Sequence, residues 1–566
     1  MSQSYDGGEA VLEAIRNLGV DYIISSPGSE WAPVWEALAR QKTQELDGPI
    51  YIDCWHESLA VAMAAGYTRV TGRLQAVLLH TGVGLLQGSM AIDGAASAET
   101  PLLVMSGEST SFGEDPAFDP GPQWYRNLST SGGPNKFAEP LVKWSDRVAS
   151  VHTLYHSVTR AGEMAQRIPK GPTYLSVPME AMVPEWAPPA KIGRVPNPPK
   201  IQPDSQAIDH LADQLCASSN PVIVTESSGR DVQAFQRLVQ LAELLAIPVV
   251  ESGTPIYANF PKDHPLYMGQ DLRPFMHRSD LFLLIGCRAP WYPPSAGPAE
   301  ATVAVIDENP LKDAMAYQNL QADLYLEGDI TSTLELLIKA VESKGVKNAS
   351  LRLENRARWE AEHNALVEGH RRAGAAAKDL NPIDPAWLCT ALSEVMPENA
   401  VYVEETITHR QDILRHVDWS SPQSYFHPAG GLGQGLGLAL GVKLATPERP
   451  VVALMGDGSF LYNPIIPAFG ASKDYDLPIL IVIFNNSEYL AMKNTHLSFY
   501  PDGVAATSDL WHGVHISNPD YAKMLEPFGG QGERVEDPAM LKPALERALA
   551  AVNAGQTALV DVVLSR

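Results

Sequence analysis

Short apolar runs of strand length recur along the chain, separated by stretches with the apolar spacing of amphipathic helices. They read QAVLLH (75–80), TPLLVMSG (100–107), PTYLSVP (172–178), NPVIVTES (220–227), DLFLLIGC (280–287), TVAVIDEN (302–309), AVYVEET (400–406), VVALMGDG (451–458), LPILIVIFNN (477–486) and ALVDVVLS (558–565). Continuous runs suit strands covered on both faces, and such strands belong to parallel sheets whose crossover connections are helices. EAVLEAIRNLG is a helical counterpart: Val11, Ile15 and Leu18 fall on one face, and Gly19 stands where the helix would stop. The expected fold class is α/β, with doubly wound parallel-sheet domains. None of the runs approaches the roughly 18 apolar residues of a membrane-spanning helix.

At roughly 100 to 200 residues per domain, the 566 residues amount to about three. VPEWAPPAKIGRVPNPPKIQP (183–203) is too rich in proline to continue a helix or a central strand and marks one boundary. A charged helical stretch from about 336 to 378, followed by LNPIDPAW, marks the next. We expect domains at 1–190, 191–345 and 375–566, with a helical linker at 346–374. The balance of 42 Lys plus Arg against 66 Asp plus Glu, net −24, without a basic cluster, argues against nucleic acid and anionic membrane as partners. Cys54, Cys216, Cys287 and Cys389 are too scattered for a metal site or a disulfide framework and are expected as buried small hydrophobes. The opening MSQSYDGGEAVLEAI lacks a basic region followed by an apolar run, so the expected location is cytoplasmic.

The strongest chemical signal pairs VVALMGDGSF with LPILIVIFNN, 26 residues separating Gly458 from Asn485. Each half is a buried strand ending in polar residues, and both ends can fall at the carboxyl edge of one parallel sheet, where such sheets bind ligands. There Asp457 and the Asn486 side chain can hold a hard divalent cation through oxygen, while Gly458 and Ser459 let a phosphate approach the start of the following helix.

This pair resembles the diphosphate and magnesium fingerprint of thiamine diphosphate-dependent enzymes, in which GDG, here Gly456 to Gly458, is followed some 25 residues later by NN. The resemblance implies thiamine diphosphate and Mg2+ as cofactors, with the Glu488 backbone carbonyl as third metal contact beside Asp457 and Asn486. It also implies a glutamate at a helix start in the amino-terminal domain, and CWHESLAVAMAAGYTRVTGR supplies Glu57, whose carboxylate would bond a pyrimidine nitrogen and so promote deprotonation of the thiazolium carbon. In YFHPAGGLGQGLGLALG (425–441), Gly430 falls on the position whose carbonyl accepts the aminopyrimidine proton and Leu432 on the side chain that keeps the cofactor bent.

The whole chain resembles the branch containing acetolactate synthase, pyruvate oxidase and benzoylformate decarboxylase, built as pyrimidine-binding, central and diphosphate-binding domains. SSPGSE gives Ser29, which the resemblance assigns to the substrate carboxylate, and LLHTGVG gives His80, assigned to proton transfer, work that suits an imidazole. EETITHRQ supplies Thr408 as a hydroxyl contact for the diphosphate, with His409 beside it facing either way. Tyr489, Ala491 and Met492 fall at cofactor or substrate-pocket positions. The branch implies a homodimer or homotetramer with sites between subunits and decarboxylation of a 2-oxo acid. Acetolactate synthase-like carboligation onto an aldehyde or ketone acceptor and an inactive cofactor-binding homologue stand as alternatives.

Departures bear on the substrate. Benzoylformate decarboxylases carry a second catalytic histidine in the central domain, where this chain reads RAPWYPPSAG with Trp291 and Tyr292. Arg288 is the one trace of a flavin segment, no GxGxxG loop appears there, and Thr495 stands where acetolactate synthases place a tryptophan. From Asn494 to Asn518 the chain shows little helical or strand period, and we expect a loop closing over the cofactor, with His496, His512 or His515 as the missing proton-transfer group.

Overall fold

Each of those apolar runs becomes a strand buried over most of its length. The structure is a computed structural model that describes residues 5–108, 110–111, 114, 132–312, 315, 320–345 and 349–565. Among the described residues the strands form three sheets, and every strand pair in them is parallel.

The first sheet comprises β1 (Tyr22–Ser26), β2 (Ile50–Asp53), β3 (Gln75–Leu79), β4 (Leu102–Glu108), β5 (Trp144–Arg147) and β6 (Thr173–Pro178), in the order β2-β1-β3-β4-β6-β5. The second comprises β7 (Pro221–Thr225), β8 (Val249–Glu251), β9 (Leu281–Ile285), β10 (Thr302–Asp307) and β11 (Leu324–Glu327), ordered β11-β10-β9-β7-β8. The third comprises β12 (Val401–Glu405), β13 (Tyr425–Phe426), β14 (Val451–Gly456), β15 (Leu480–Asn485), β16 (Gln531–Val535) and β17 (Ala558–Val563), ordered β13-β12-β14-β15-β17-β16. Both edge strands of every sheet escaped the sequence reading. An edge strand is covered less completely and needs no continuous apolar run: Trp144–Arg147 and Gln531–Val535 leave half or more of their residues partly or fully exposed. Other edges are simply short, such as Val249–Glu251 and Tyr425–Phe426. In β1 two serines interrupt the apolar run, and Ser25 is accommodated because its hydroxyl donates to the Leu78 carbonyl at 2.8 Å.

The chain divides into two compact units. One holds Met1–Pro198 with Pro428–Glu448 and Phe460–Ile479. Its helix Glu57–Thr71 lies against the helix Gly435–Ala445 at backbone contact: a Cβ on Gly66 would overlap the Leu438 carbonyl, and one on Gly441 the Met63 carbonyl. The other unit holds Pro199–His427, Arg449–Ser459 and Leu480–Arg566. Within it the second sheet buries Ile223, Leu283 and Val305, and the third buries Leu454, Val482 and Val560.

The charged stretch resolves into two elements. The helix Ile330–Lys344 packs Leu334, Leu337 and Val341 into the second sheet's core. After 346–348, outside the described residues, the helix Ala349–Ala377 places Trp359 in that core and Ala377 in the core of the third sheet. No helix or strand forms between Met182 and Ser205, as the prolines there require. All four cysteines are buried with free thiols.

Candidate active site

In a parallel sheet the carboxyl ends of neighbouring strands open on one edge, and the candidate residues sit at two such edges. At the first, β1 and β3 are paired in register, Ser25 opposite Leu78 and Ser26 opposite Leu79, so the residues that follow each strand emerge side by side. His80 leaves β3 and precedes the helix Thr81–Ser97; Ser29 leaves β1 and opens the single turn Ser29–Trp31, exposed to solvent. Glu57 is the first residue of its helix, whose start is capped by the His56 imidazole accepting from the Ser58 amide at 3.1 Å. Gly84 lies between these two candidate side chains: a Cβ there would come within 3.1 Å of the Glu57 carboxylate and 3.4 Å of the His80 Cβ.

One residue at this edge was not singled out from sequence. Glu30 is fully buried, and its carboxylate oxygens lie 3.0 and 3.1 Å from Nδ1 of His80. Oε1 also accepts the Thr81 amide at 3.2 Å. The hydrogen bond to Glu30 raises the His80 pKa above the ordinary imidazole value; burial opposes it, and the charges of Glu30 and Glu57 add to it. The same bond holds the proton on Nδ1. Gly28 is what makes room for the pair: a Cβ there would overlap both His80 Nδ1 and Glu30 Oε2, and one on Gly107 would overlap the Glu30 stem. Glu30 adjoins the PGS turn in sequence, but nothing in the spacing links it to a histidine fifty positions on.

In the same unit Gly430 takes a positive φ of 82°, and a Cβ on it would meet Asp93 and Gly94 of the helix Thr81–Ser97. Leu432 follows, half-buried.

At the edge of the third sheet, β12, β14 and β15 are consecutive neighbours, so Thr408, the GDG turn and the NN pair converge. Asp457 is buried, with Oδ1 accepting the Gly458 amide at 2.8 Å and Oδ2 the Ser487 amide at 2.7 Å. Burial nonetheless pushes its carboxyl up to about 6. Asn486 Oδ1 accepts the Glu488 amide at 2.9 Å, and its Nδ2 lies 3.3 Å from Nε2 of His409. His409 therefore faces inward, buried and stacked on Phe484. Ser459 donates its hydroxyl to the carbonyls of Gly456 and Glu405. The Tyr489 ring lies where a Cβ on Gly458 would stand, which explains the second glycine of GDG. Thr408 sits half-buried in the turn before the helix Arg410–His416, and Met492 is half-exposed on the first turn of the helix Leu490–Phe499. Among the described residues no group of three or more His, Cys, Asp or Glu side chains is arranged to hold a metal, so a cation here would rest on one carboxylate with amide and carbonyl oxygens.

The segment 494–518 is not the loop expected from sequence. It contains most of the helix Leu490–Phe499 and the helix Val504–Ser508, and residues 514–516 pair with the segment that follows the NN pair: the Tyr489 amide donates to the Val514 carbonyl and the Ile516 amide to the Ser487 carbonyl. Neither helix buries a residue, so no apolar stripe betrayed them. His496 stands against Tyr500 and Trp511, while His512 and His515 are exposed. In the central region Glu226 accepts from both the Arg288 backbone amide and its guanidinium, and Trp291 donates to the Pro294 carbonyl.

Residues 5–121, 208–337 and 408–562 match the family models described as the N-terminal TPP binding domain, central domain and C-terminal TPP binding domain of thiamine pyrophosphate enzymes. The chain is 26% identical over 561 residues to benzoylformate decarboxylase of Pseudomonas aeruginosa, covering 96% of each. It is 25% identical over 580 residues to the acetolactate synthase large subunit of Haemophilus influenzae, covering 97% of this chain and 92% of that protein. The solved structure of Rhodococcus jostii RHA1 thiamine diphosphate-dependent 4-hydroxybenzoylformate decarboxylase superposes with a TM-score of 0.79 at 24% identity, covering 99% of both chains, a likeness of fold.

Proposed function

The chain belongs to the thiamine pyrophosphate (thiamine diphosphate) enzyme family, and from that premise we propose that it decarboxylates a 2-oxo acid to an aldehyde. The donor set fits the cofactor with a divalent cation. Asp457 is a buried carboxyl with no cationic side chain bonded to it among the described residues, raised by burial, and a cation would return it to the carboxylate form. Oxygen from Asp457, Asn486 and the Glu488 carbonyl suits Mg2+. Gly456, Gly458, Ser459 and Thr408 would line the diphosphate, Glu57, Gly430 and Leu432 the pyrimidine end, and Tyr489 and Met492 the rim. When bound, the cofactor supplies the carbon nucleophile and electron sink that decarboxylation needs.

The chain's own residues bind, orient and move protons. Ser29 would take the substrate carboxylate at the mouth of the β1 edge, and Glu57 would set the protonation of the pyrimidine. His80 would deliver a proton through Nε2 while Nδ1 stays bonded to Glu30. That pair is the observation that carries the reading, because release of an aldehyde requires a proton donor and Glu30 favours the protonated imidazole. Carboligation is the second reading: the central region offers Trp291 and Tyr292 in place of a second histidine, and the acetolactate synthase relative matches over a similar length. Magnesium, a homodimer or homotetramer with sites between subunits, and a cytoplasmic location belong to the same proposal. In its support, no helix among the described residues is long and apolar enough to cross a membrane.

The test is carbon dioxide release with thiamine diphosphate and Mg2+, over a panel from pyruvate to benzoylformate, each with and without an aldehyde acceptor. Release without acceptor, with free aldehyde formed, is expected. Release only with acceptor would move the assignment to carboligase, and no release from any acid would point to an unusual donor or an inactive homologue.

A further inference from the structure

Two polar side chains stand in otherwise apolar strands of the third sheet. Asp561 interrupts ALVDVVLS in the middle of β17, and Asn485 closes β15; both are fully buried. Asp561 lies opposite Ile483 of β15 on one side and Arg534 of the edge strand β16 on the other. Asn485 is two residues beyond Ile483, on the same face of the sheet, and its Nδ2 donates to Asp561 Oδ1 at 2.8 Å and to Asn518 Oδ1 at 3.0 Å. Arg534 closes the network. Its Nη1 donates to Asp561 Oδ2 at 3.0 Å and to Asn518 Oδ1 at 3.1 Å, and its Nη2 to Asn518 Oδ1 at 3.2 Å.

The Asn485 amide has a single orientation, because the Asp561 carboxylate can only accept and the Ser487 backbone amide on its other side can only donate. Its Oδ1 accepts that amide at 3.2 Å and the Ser487 hydroxyl at 3.3 Å. Ser487 is held in the left-handed region at φ 59°, and its amide also donates to Asp457 Oδ2 at 2.7 Å. The contacts thus run without a break from Arg534 to the Asp457 carboxylate. Asn518 brings a distant segment to them: the Ile516 amide donates to the Ser487 carbonyl at 2.9 Å and the Tyr489 amide to the Val514 carbonyl at 2.7 Å, on either side of Glu488. Joining an edge strand to its neighbour needs only the backbone ladder of β16 and β17, and apolar side chains would fill these positions at less cost than a buried ion pair. A buried network whose members are hydrogen-bonded fixes one geometry, and this one fixes the turn after the NN pair.

We propose, on the reading that Asp457, Asn486 and the Glu488 carbonyl hold Mg2+, that Arg534, Asp561 and Asn518 are positioning residues for that cation. Through Asn485 they hold the Ser487 amide, and with it Asp457 Oδ2 and the turn that carries Asn486 and Glu488, in one arrangement. Partners that orient a metal's ligands contribute about 10- to 100-fold to its affinity. Asn518 ties residues 514–518 to the same contacts, so cation binding and the docking of that segment are reciprocal: the factor that docking adds to cation affinity is the factor that the cation adds to docking.

The test is the Mg2+ concentration at which the full-length protein takes up thiamine diphosphate, followed by calorimetry without turnover. Asn518→Gly keeps the left-handed backbone at that position, φ 51°, and removes only the amide. It should raise the half-saturating Mg2+ about tenfold, with full uptake of thiamine diphosphate once Mg2+ is in excess. Asn518→Asp keeps the oxygen that Asn485 and Arg534 share and should stay close to wild type. Arg534→Gln, on the edge strand, is a second variant that should shift the half-saturating Mg2+ in the same direction. In hydrogen exchange, Mg2+ with thiamine diphosphate should protect the Ile516 amide in wild type and protect it less in Asn518→Gly. Asp457→Asn is the control. If it abolishes Mg2+-dependent uptake while Asn518→Gly and Arg534→Gln leave half-saturation unchanged, the positioning role alone is overturned. If uptake in Asp457→Asn still depends on Mg2+, the reading of the cation site is overturned instead. A loss of uptake in Asn518→Gly that excess Mg2+ does not restore would mark a general loss of structure and also overturn the positioning role.

Discussion

Replacing Glu30 by Gln tests the arrangement at the β1 edge most directly. The amide is nearly isosteric, and its oxygen can still accept from Nδ1 of His80 and from the Thr81 amide, so the fold should be retained. What is lost is the charge. A hydrogen bond to a charged partner contributes about 1.5–3 kcal/mol against about 0.5–1.5 for a neutral one, so the protonated imidazole loses on the order of 1–1.5 kcal/mol of support, roughly tenfold in its population. Because Glu30 raises the His80 pKa, removing its charge lowers it. If the protonated form does the work, wild-type activity holds at low pH and falls as pH rises through the raised value. In the variant that fall begins at lower pH. Carbon dioxide release measured as kcat/KM across pH should therefore show near wild-type activity on the acid side and a deficit of about tenfold on the basic side. A thermal melt close to wild type would show that the fold is intact. A pH-independent loss, or an unshifted limb, would refute the reasoning.

Three further outcomes follow from the geometry. Gly28→Ala forces His80 away from Glu30 and should cost about 100-fold or more in kcat, within the range ascribed to a positioned general acid, with far-UV dichroism unchanged. Asp457→Asn should abolish Mg2+-dependent binding of thiamine diphosphate in calorimetry, and because it turns an amide NH2 toward one of the two backbone amides that the carboxylate accepts, the apo protein should lose about 1 kcal/mol in stability. Trp359→Ala empties a site 2% exposed in the core of the second sheet and should destabilise that unit by about 3–5 kcal/mol in urea unfolding.

Much of the architecture was legible because two-face burial leaves a continuous apolar run in sequence, as in Leu480–Asn485 and Leu281–Ile285. The placement of the GDG and NN residues at one sheet edge was legible for the same reason: they directly follow such strands, and turns at strand ends restrict residue type. Edge strands such as Trp144–Arg147 were not, because partial exposure relaxes that demand. The helices within 494–518 were not, because burying nothing they need no apolar stripe.

The chain's local composition was thus enough for the α/β class, the proline-rich break and the GDG and NN ends. Only the tertiary structure decided which side chains meet across those ends. Glu30 and His80 are neighbours because β1 and β3 pair in register, and no local propensity encodes that pairing. His409 turns inward because Asn486 and Phe484 receive it. Short-range preferences act over a few residues and are written in the order of amino acids, whereas the contacts that tune a proton arise between segments far apart in the chain, and those exist only once the sheets have formed.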